Sequence, residues 1–461
     1  MQGTQEKVKN GKQGTVLCKK EKNNLKKYAE KGITLIALVV TIIILLILAG
    51  ITINMLLGEN GIIRTAQEAK NTWENAVANE QESLNSLLNE LNEELGNNSR
   101  ATDIYVFLYD DGTLTFGTQS EPIEGKTIVK QYGNIKGQEY KSWTDENAAN
   151  NRMSDTPWFN EASLITKASI VDEIVPISMS SWFDSCINLT EFENIEKIDT
   201  SEVKSMLSMF DTCSSLATLD LSSFNTSNVT NMAAMFAHCG NLTEILGLEN
   251  FNTGKVEDMA SMFYACSSLT SLNLSGFDTS NVVDMQNIFN SCTNLTSLNL
   301  SSFNTNNVEN MAAMFANCSS LTSLNLSGFD TSNVVVMYFM FQNCSGLTSL
   351  DLSNFDTSKT TDMQHMFNGC TNLTNLDLSG FDTSNVISTG WMFLSCSSLT
   401  NLDLSSLDTS SMQEMEAMFA SCTNLTTIYV GDNWDLTNVE NTNYMFENCG
   451  TNTTTPKPSN L

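Results

Sequence analysis

Eleven cysteines recur along the second part of this chain at steps of 26 or 27 residues. Self-similarity at a fixed period of this length is typical of stacked repeats, in which each unit makes one turn and covers its neighbours. The spacing therefore constrains the fold more strongly than any local propensity does. The cysteines are Cys186, Cys213, Cys239, Cys266, Cys292, Cys318, Cys344, Cys370, Cys396, Cys422 and Cys449.

Each repeat unit has two differently patterned halves, as the copy from Cys292 to Cys318 illustrates. The first half contains L-x-x-L-x-L, which predicts a strand with Leu298 and Leu300 turned inward and Asn299 outward. The second half, V-x-x-M-x-x-M-F-x-x-C, spaces its apolar residues by three or four and predicts a short helical or 3₁₀ stretch after a small strand. A Ser/Thr/Asx-rich segment between the halves favours turns.

One unit cannot fold alone. About nine apolar side chains at roughly 2 kcal/mol each do not offset backbone ordering of about 1 to 2 kcal/mol for every residue. Stacking supplies the missing folding free energy, because each unit then buries the faces of its neighbours. We therefore predict a solenoid over residues 182–449, with ten or eleven turns and one long parallel β-sheet. Residues 97–181 are predicted to form a β-rich N-terminal cap with a hairpin turning at Asp111-Gly112, and residues 450–461 a disordered polar tail.

The cysteines are predicted to be free, buried thiols. Side chains in register on neighbouring strands lie about 5 Å apart, whereas a disulfide needs Cβ atoms about 3.5–4.5 Å apart on converging vectors. The chain has no C-x-x-C pair or Cys/His grouping, so we predict no metal site and no cofactor. The Met and Phe ladders that share the period are interpreted as core.

The N-terminal region predicts a membrane anchor. Residues 1–32 form a basic leader with nine lysines and three glutamates, and residues 33–57 are 25 largely apolar residues without a charge. As a helix this stretch would be about 37 Å long, enough to cross a hydrocarbon core of about 30 Å. The lysines predict the leader inside the cell and the repeats outside.

The sequence around Gly32 and Ile33, Lys-Gly-Ile-Thr-Leu-Ile-Ala-Leu, resembles the cleavage region of type IV prepilins and pseudopilins. This resemblance implies that a dedicated peptidase cuts between Gly32 and Ile33. Ala37 departs from the family, which usually has Glu at this position. Residues 58–96 are predicted to form an amphipathic helix. Two interpretations of residues 62–95 remain open: packing like the exposed half of a pilin's first helix, or self-association as a coiled-coil stalk.

The repeat pattern, as in Leu324 to Cys344 or Leu376 to Cys396, resembles the BspA-type leucine-rich repeat of bacterial surface proteins. The resemblance covers about residues 180–450, together with a lead-in that contains Asp111 to Phe116. It implies a leucine-rich-repeat solenoid, exposed on the cell surface, that binds an extracellular protein or glycan. It implies no shared catalytic residues.

The residues themselves give no sign of catalysis. The two histidines, His238 and His365, occupy different positions in the repeat, and no phosphate-binding loop, zinc motif or nucleophile elbow is present. We therefore predict that the chain is not an enzyme. Residues 1–32 have a net charge of +6, and the overall net charge is −29, so the remaining chain has a net charge of −35. Such a surface repels nucleic acid.

The outward strand positions are the candidate ligand face, because they place short polar groups at regular steps. The aspartates of this face, stacked about 5 Å apart, would repel one another, and weak calcium binding would relieve the repulsion. A second candidate surface is the threonine row Thr279, Thr305, Thr331, Thr357 and Thr383, for which turn chemistry is the simpler account. The ligand-face residues are Asn273, Asn299, Asn325, Asp351, Asp377, Asp403, Ser301, Ser327, Ser353 and Ser379.

Two functional hypotheses follow. The first is a bacterial cell-surface binding protein, adhesin-like, held in the cell membrane by a single N-terminal helix. The second is a minor pilin or pseudopilin that carries the repeats on a filament or secretion complex.

Overall fold

A computed structural model describes residues 100–135 and 156–458. The predicted leader, the Gly32–Ile33 cleavage site, the membrane helix over 33–57 and the amphipathic segment over 58–96 all lie outside these residues. Within the described ranges, no helix has the length and apolar character needed to cross a membrane.

The described chain is a parallel-strand β-solenoid of about eleven turns of about 26 residues, as the repeat period predicts. The described 3₁₀ helices are Phe159–Leu164, Ile195–Lys197, Thr200–Glu202 and Leu248–Asn250. The described strands are β1 (Tyr105–Tyr109), β2 (Thr113–Gly117), β3 (Ile128–Asn134), β4 (Lys167–Ile170), β5 (Glu191–Glu193), β6 (Thr218–Asp220), β7 (Glu244–Leu246), β8 (Ser349–Asp351), β9 (Asn375–Asp377), β10 (Asn401–Leu404), β11 (Thr427–Val430) and β12 (Thr455–Pro456).

The N-terminal end contains the predicted hairpin. Strands β1 and β2 pair antiparallel around Asp111 and Gly112, and β3 adds antiparallel to the other side of β1. Gly112 has φ +80°, and a Cβ there would lie 2.6 Å from Thr166 Oγ1, so this turn requires glycine. Strand β2 then pairs parallel with β4, and β4 with β5. The parallel stack therefore begins inside the segment that we predicted as a separate cap.

The prediction of one long sheet is wrong. Beyond β5, the assigned strands form three separate parallel groups, β6–β7, β8–β9 and β10–β11–β12. Each strand here is at most four residues long, so a small shift breaks the ladder. The turns around Asn273, Asn299 and Asn325 carry no assigned strand. Leu300 is buried as predicted, but Leu298 is only partly buried.

The methionine side of each turn is neither helical nor 3₁₀, contrary to the prediction. It is a run of tight turns that also bond to the next repeat: the Met235 N–H donates to the Met232 carbonyl (3.2 Å), and the Ala234 N–H to the Ala260 carbonyl (2.8 Å). Ala234 has φ +52°, which an α-helix does not permit. The predicted small strand is a single parallel β-bridge per turn, formed by Asn231, Asp258, Asp284, Asn310, Val336, Asp362, Ser388, Glu414 and Asn441.

The core consists of ladders, as predicted. Along one phenylalanine ladder, from Phe183 to Phe446, successive rings stack nearly parallel, with Phe210 and Phe236 5.7 Å apart and Phe393 and Phe419 5.8 Å apart. The Met, Val and Leu ladders are buried beside it. Because each side chain contacts its counterparts one turn before and after, the stack buries a continuous core that no single unit has.

The tail, predicted to be disordered, is ordered through residue 458. Strand β12 pairs parallel with β11, and the Lys457 N–H donates to the Val430 carbonyl (3.0 Å). Alternate residues of a strand direct their N–H groups to opposite sides, so Pro456 and Pro458 stand where an N–H would point away from β11. Proline has no N–H, which suits it to an edge that must not recruit another strand.

Candidate ligand-binding surfaces

All ten residues of the predicted ligand face are exposed. They lie on the outer side of the strand segment of successive turns, in register: Asp351 pairs with Asp377 between β8 and β9. Strand pairing sets the register between β8 and β9, and in the other turns the residues occupy the same position of the repeat unit. Whether a ligand binds these rows stays a prediction.

Most residues of these rows also have a structural role. The Oδ1 atom of Asp351 accepts the Ser353 N–H (3.0 Å), and Asn299 accepts the Ser301 N–H in the same way (3.1 Å). These bonds end the strand segment as Asx turns. Hydrogen bonds from Ser353 lower the pKa of Asp351, so its carboxylate is ionised at neutral pH. In Asp351 and Asp377 one carboxylate oxygen therefore serves the turn, and the second remains for solvent or a ligand.

Asp403 has a cationic partner from the tail. The Lys457 ammonium lies 2.6 Å from its Oδ2 atom. Partial burial alone would raise the pKa of Asp403, but Lys457 and Ser405 hold it below its usual value. The repulsion between the stacked carboxylates is thus reduced at one end of the row by an ion pair. Within residues 100–135 and 156–458, no group of three or more His, Cys, Asp or Glu side chains could hold a metal ion.

The threonine row, our second candidate surface, is interior. Its five residues are at most 1% exposed. Thr305 Oγ1 donates to the Asp330 carbonyl (2.8 Å) and accepts the Asp330 N–H (2.8 Å), so one hydroxyl satisfies both backbone groups of a residue on the next turn. Threonine is needed here because it is small, apolar on one side and able both to donate and to accept. The prediction of a surface role for this row is wrong.

The eleven cysteines of the described residues are free, and all but Cys449, which is partly exposed, are buried, as predicted. Each of the nine from Cys213 to Cys422 donates its thiol to a phenylalanine carbonyl of the preceding turn; Cys292 Sγ, for example, lies 3.1 Å from the Phe263 oxygen. Burial raises the pKa of Cys318 to about 12. A thiol in this state is neither a nucleophile nor a metal ligand at neutral pH.

The two histidines lie in separate places. His238 Nδ1 is 2.9 Å from Asp211 Oδ1, and its ring contacts Tyr264 edge-on. Asp211 is buried and lies near buried Asp184. Burial, together with the charge of Asp211, raises the pKa of Asp184 to about 7.

His365 belongs to an aromatic column that we did not predict. Its ring stacks between Phe339 (4.7 Å) and Trp391 (4.9 Å) on successive turns. All three have positive φ, between 56° and 60°, a conformation that is costly for bulky residues. The exposed Val335 and Ile387 lie on two of the same turns. The signal was available, because the three rings are spaced by 26 residues, as the cysteines are.

The fold and these surfaces define a repeat protein of the β-solenoid class, with buried ladders and outward polar rows. The chain belongs to the family described as Mycoplasma protein of unknown function, DUF285, whose model matches residues 177–273, 266–351 and 337–457. No curated protein matches the chain.

Among solved structures, the chain is similar to a leucine-rich repeat protein from Bacteroides ovatus, with 18% identity over 73% of this chain and 95% of the other, and a TM-score of 0.33. It is also similar to a leucine-rich repeat protein from Eubacterium ventriosum, with 15% identity over 71% and 94% and a TM-score of 0.31. A leucine rich cell surface protein from Faecalibacterium prausnitzii has 14% identity over 59% and 92%, and a TM-score of 0.20.

Proposed function

We propose that the solenoid is a non-enzymatic binding module that presents its outward strand rows to an extracellular protein or glycan. The observation that carries the proposal is the in-register array of exposed Asn, Asp and Ser side chains, repeated turn after turn. Such an array suits an extended ligand that offers hydrogen-bonding groups at regular steps. The strong negative charge of the chain disfavours nucleic acid as that ligand.

The cellular setting in the proposal comes from the N-terminal sequence. The charge-free stretch over residues 33–57, behind a lysine-rich leader, supports a single-pass anchor in a bacterial cell membrane with the repeats outside. The position of the chain's N-terminus, read by mass spectrometry, tests the competing filament hypothesis: a mature chain starting at Ile33 in sheared material favours it, and an intact leader in the membrane fraction contradicts it.

The proposed binding face is tested by replacing neutral polar side chains with lysine at positions that do not form the Asx turns. Ser349, Asn375 and Asn401 are exposed strand residues and belong to the outward strand positions predicted as the ligand face. The triple variant S349K/N375K/N401K places three long cations across it. The full chain and the variant are compared for binding on an array of glycans and matrix proteins, and we expect the variant to lose at least one interaction of the full chain.

The matched control is V283K/V335K/I387K, which adds the same charge at residues that are 37–46% exposed on the methionine side. We expect this control to bind as the full chain does. Loss of binding only in the control would move the site to the side of the aromatic column. Absence of any interaction on the array would contradict the binding function.

A further inference from the structure

The outer face of the N-terminal hairpin carries a second apolar layer. Val106 and Leu108 of β1 point into the main core. Phe107 and Tyr109 point to the opposite face and are nevertheless only 4% and 1% exposed. Their cover is the segment after β2, whose Ile123 N–H donates to the Tyr109 hydroxyl (2.9 Å). The outer face of the hairpin is therefore aromatic, and the segment after β2 covers it and shields it from solvent.

A cavity of about 220 Å³ remains between this covering segment and the sheet. Tyr105, Phe107 and Tyr109, alternate residues of β1, form an aromatic wall, and Ile123 and Val171 form its apolar rim. The two rim residues are about 40% exposed, so the cavity opens to solvent. It is smaller than the roughly 300–1,000 Å³ of small-molecule sites, which suits a single side chain better than an oligosaccharide.

The charged residues among those lining the cavity are both acidic, Glu121 and Asp172. Asp172 uses one carboxylate oxygen, Oδ2, to accept the Thr118 N–H and hydroxyl (3.0 Å each). Its Oδ1 atom has no hydrogen-bond partner among the described residues. The nearby ammonium of Lys126 is already engaged, because it pairs with Asp111 (3.0 Å).

The Tyr109 ring already contacts one ammonium group, that of Lys126, which is not among the residues lining the cavity. The Lys126 Nζ atom lies 5.2 Å from the centre of the Tyr109 ring, within the range of a cation–π contact. An aromatic wall with acidic groups at its edge is the chemistry that recognises an ammonium or guanidinium group. We propose that this cavity is a binding pocket for one lysine or arginine side chain of a partner polypeptide.

The pocket adjoins the proposed ligand face. Thr115 of β2, which lines the cavity, pairs in register with Ser169 of β4, and Ser169 with Glu193 of β5. The outer faces of these strands precede the polar rows of the solenoid. A polypeptide lying along the strands could place a basic residue in the pocket, although the pocket does not depend on binding at the rows.

The test uses the full chain with isotope-labelled Ile and Val methyl groups, so that Ile123 and Val171 report on the pocket by NMR. The probe is the peptide acetyl-Gly-Gly-Lys-Gly-Gly-amide, compared with versions carrying norleucine or acetyl-lysine in place of lysine. We expect only the lysine peptide to shift both signals in a saturable way, and its affinity to fall as salt rises. Equal shifts with norleucine, shifts with methyl glucoside instead, or no shift with the lysine peptide would overturn the proposal.

Variants define the role of the carboxylates. In E121Q/D172N the amide oxygen at residue 172 can still accept from Thr118, so the loop keeps its anchor. Losing both charges should weaken binding of the lysine peptide about tenfold. The control E124Q removes an exposed charge from the same loop outside the cavity and should bind as the unaltered chain does. The strand-face variant S349K/N375K/N401K should also keep the pocket signals, which separates failure of the pocket from failure of the proposed ligand face.

Discussion

The buried threonine row gives the sharpest test of how the turns are held together. In T305V the side chain keeps its shape and gains apolar character, so an account based only on hydrophobic burial expects no loss of stability. The hydrogen bonds predict the opposite. Without the hydroxyl, both the N–H and the carbonyl of Asp330 lose their partner, and each unsatisfied buried group costs roughly 1–3 kcal/mol.

Because Asp330 is only partly buried, we expect the lower part of the summed range, so that T305V lowers the free energy of unfolding by about 2–4 kcal/mol. T305S keeps the hydroxyl and loses one methyl, which should cost about 1 kcal/mol. As a control, T296V removes an exposed hydroxyl that donates to a single carbonyl (3.3 Å), and it should change stability by less than about 0.5 kcal/mol.

Urea unfolding of the full chain measures the loss, and hydrogen exchange locates it. Because each turn of a solenoid contacts only its neighbours, the loss should appear first as faster exchange of the Asp330 amide and the adjacent turns. If T305V is as stable as T305S, or if exchange at Asp330 is unchanged, the hydroxyl bridge does not hold the turns together.

Four further predictions concern pH, thiol reactivity and the chain end. The pKa of Asp184 is raised from 3.8 to about 7, so the stability that this group contributes at low pH is lost as pH rises from about 4 through 7. D184N should therefore gain about 4 kcal/mol more at pH 8 than at pH 4 in thermal melts, and an equal effect at both would contradict this. The raised pKa of the buried thiols, about 12 for Cys318, predicts that stability falls above pH 9 by about 1.4 kcal/mol per thiol at pH 10; circular dichroism unchanged to pH 11 would refute this. In native protein, peptide mapping should find Cys449 alkylated before Cys318. Truncation after Gly450 exposes the edge of β11 and should raise the mass seen by light scattering; a chain of unchanged mass and melting temperature would show that the edge needs no cover.

The sequence predicts the parts of this fold that one residue type determines. The period of the cysteines defines the turns, the spacing of Leu, Phe and Met identifies the inward ladders, and Asp111-Gly112 marks the hairpin. In each case the residue type strongly restricts the local structure. Gly112, for example, occupies a position with positive φ, which favours glycine.

The methionine side could not be predicted, because several residue types accept its conformation. The left-handed position is Ala234 in one turn, Asn287 in another and Trp391 in a third, so no glycine marks it. Spacings of three and four residues then suggest a helix. The hydrogen bonds to the next turn decide the conformation, and they exist only once the turns are stacked.

The same reason explains the errors at the candidate sites. Thr305 and Ser353 look alike in sequence, as hydroxyl residues in turn-rich segments, yet one is buried and the other exposed. The difference is set by the partner one turn away: the backbone of Asp330 needs a group that donates and accepts. The aromatic wall of β1, by contrast, could have been found from the alternation of Tyr105, Phe107 and Tyr109.

The distribution of these contacts bears on where a ligand can bind. The turns are joined by the threonine hydroxyls, by the thiol bonds of the cysteines and by the continuous bridges of the methionine side, whereas the strand side has only short, interrupted ladders. Exposed strand residues such as Ser349 and Asn375 therefore contribute little to holding the stack, and substitutions there should leave its stability nearly unchanged. These positions, unlike the Asx-turn residues Asp351 and Asn299, can change without unfolding the protein and are free to be shaped by a partner, which supports the proposed placement of the binding face on the strands.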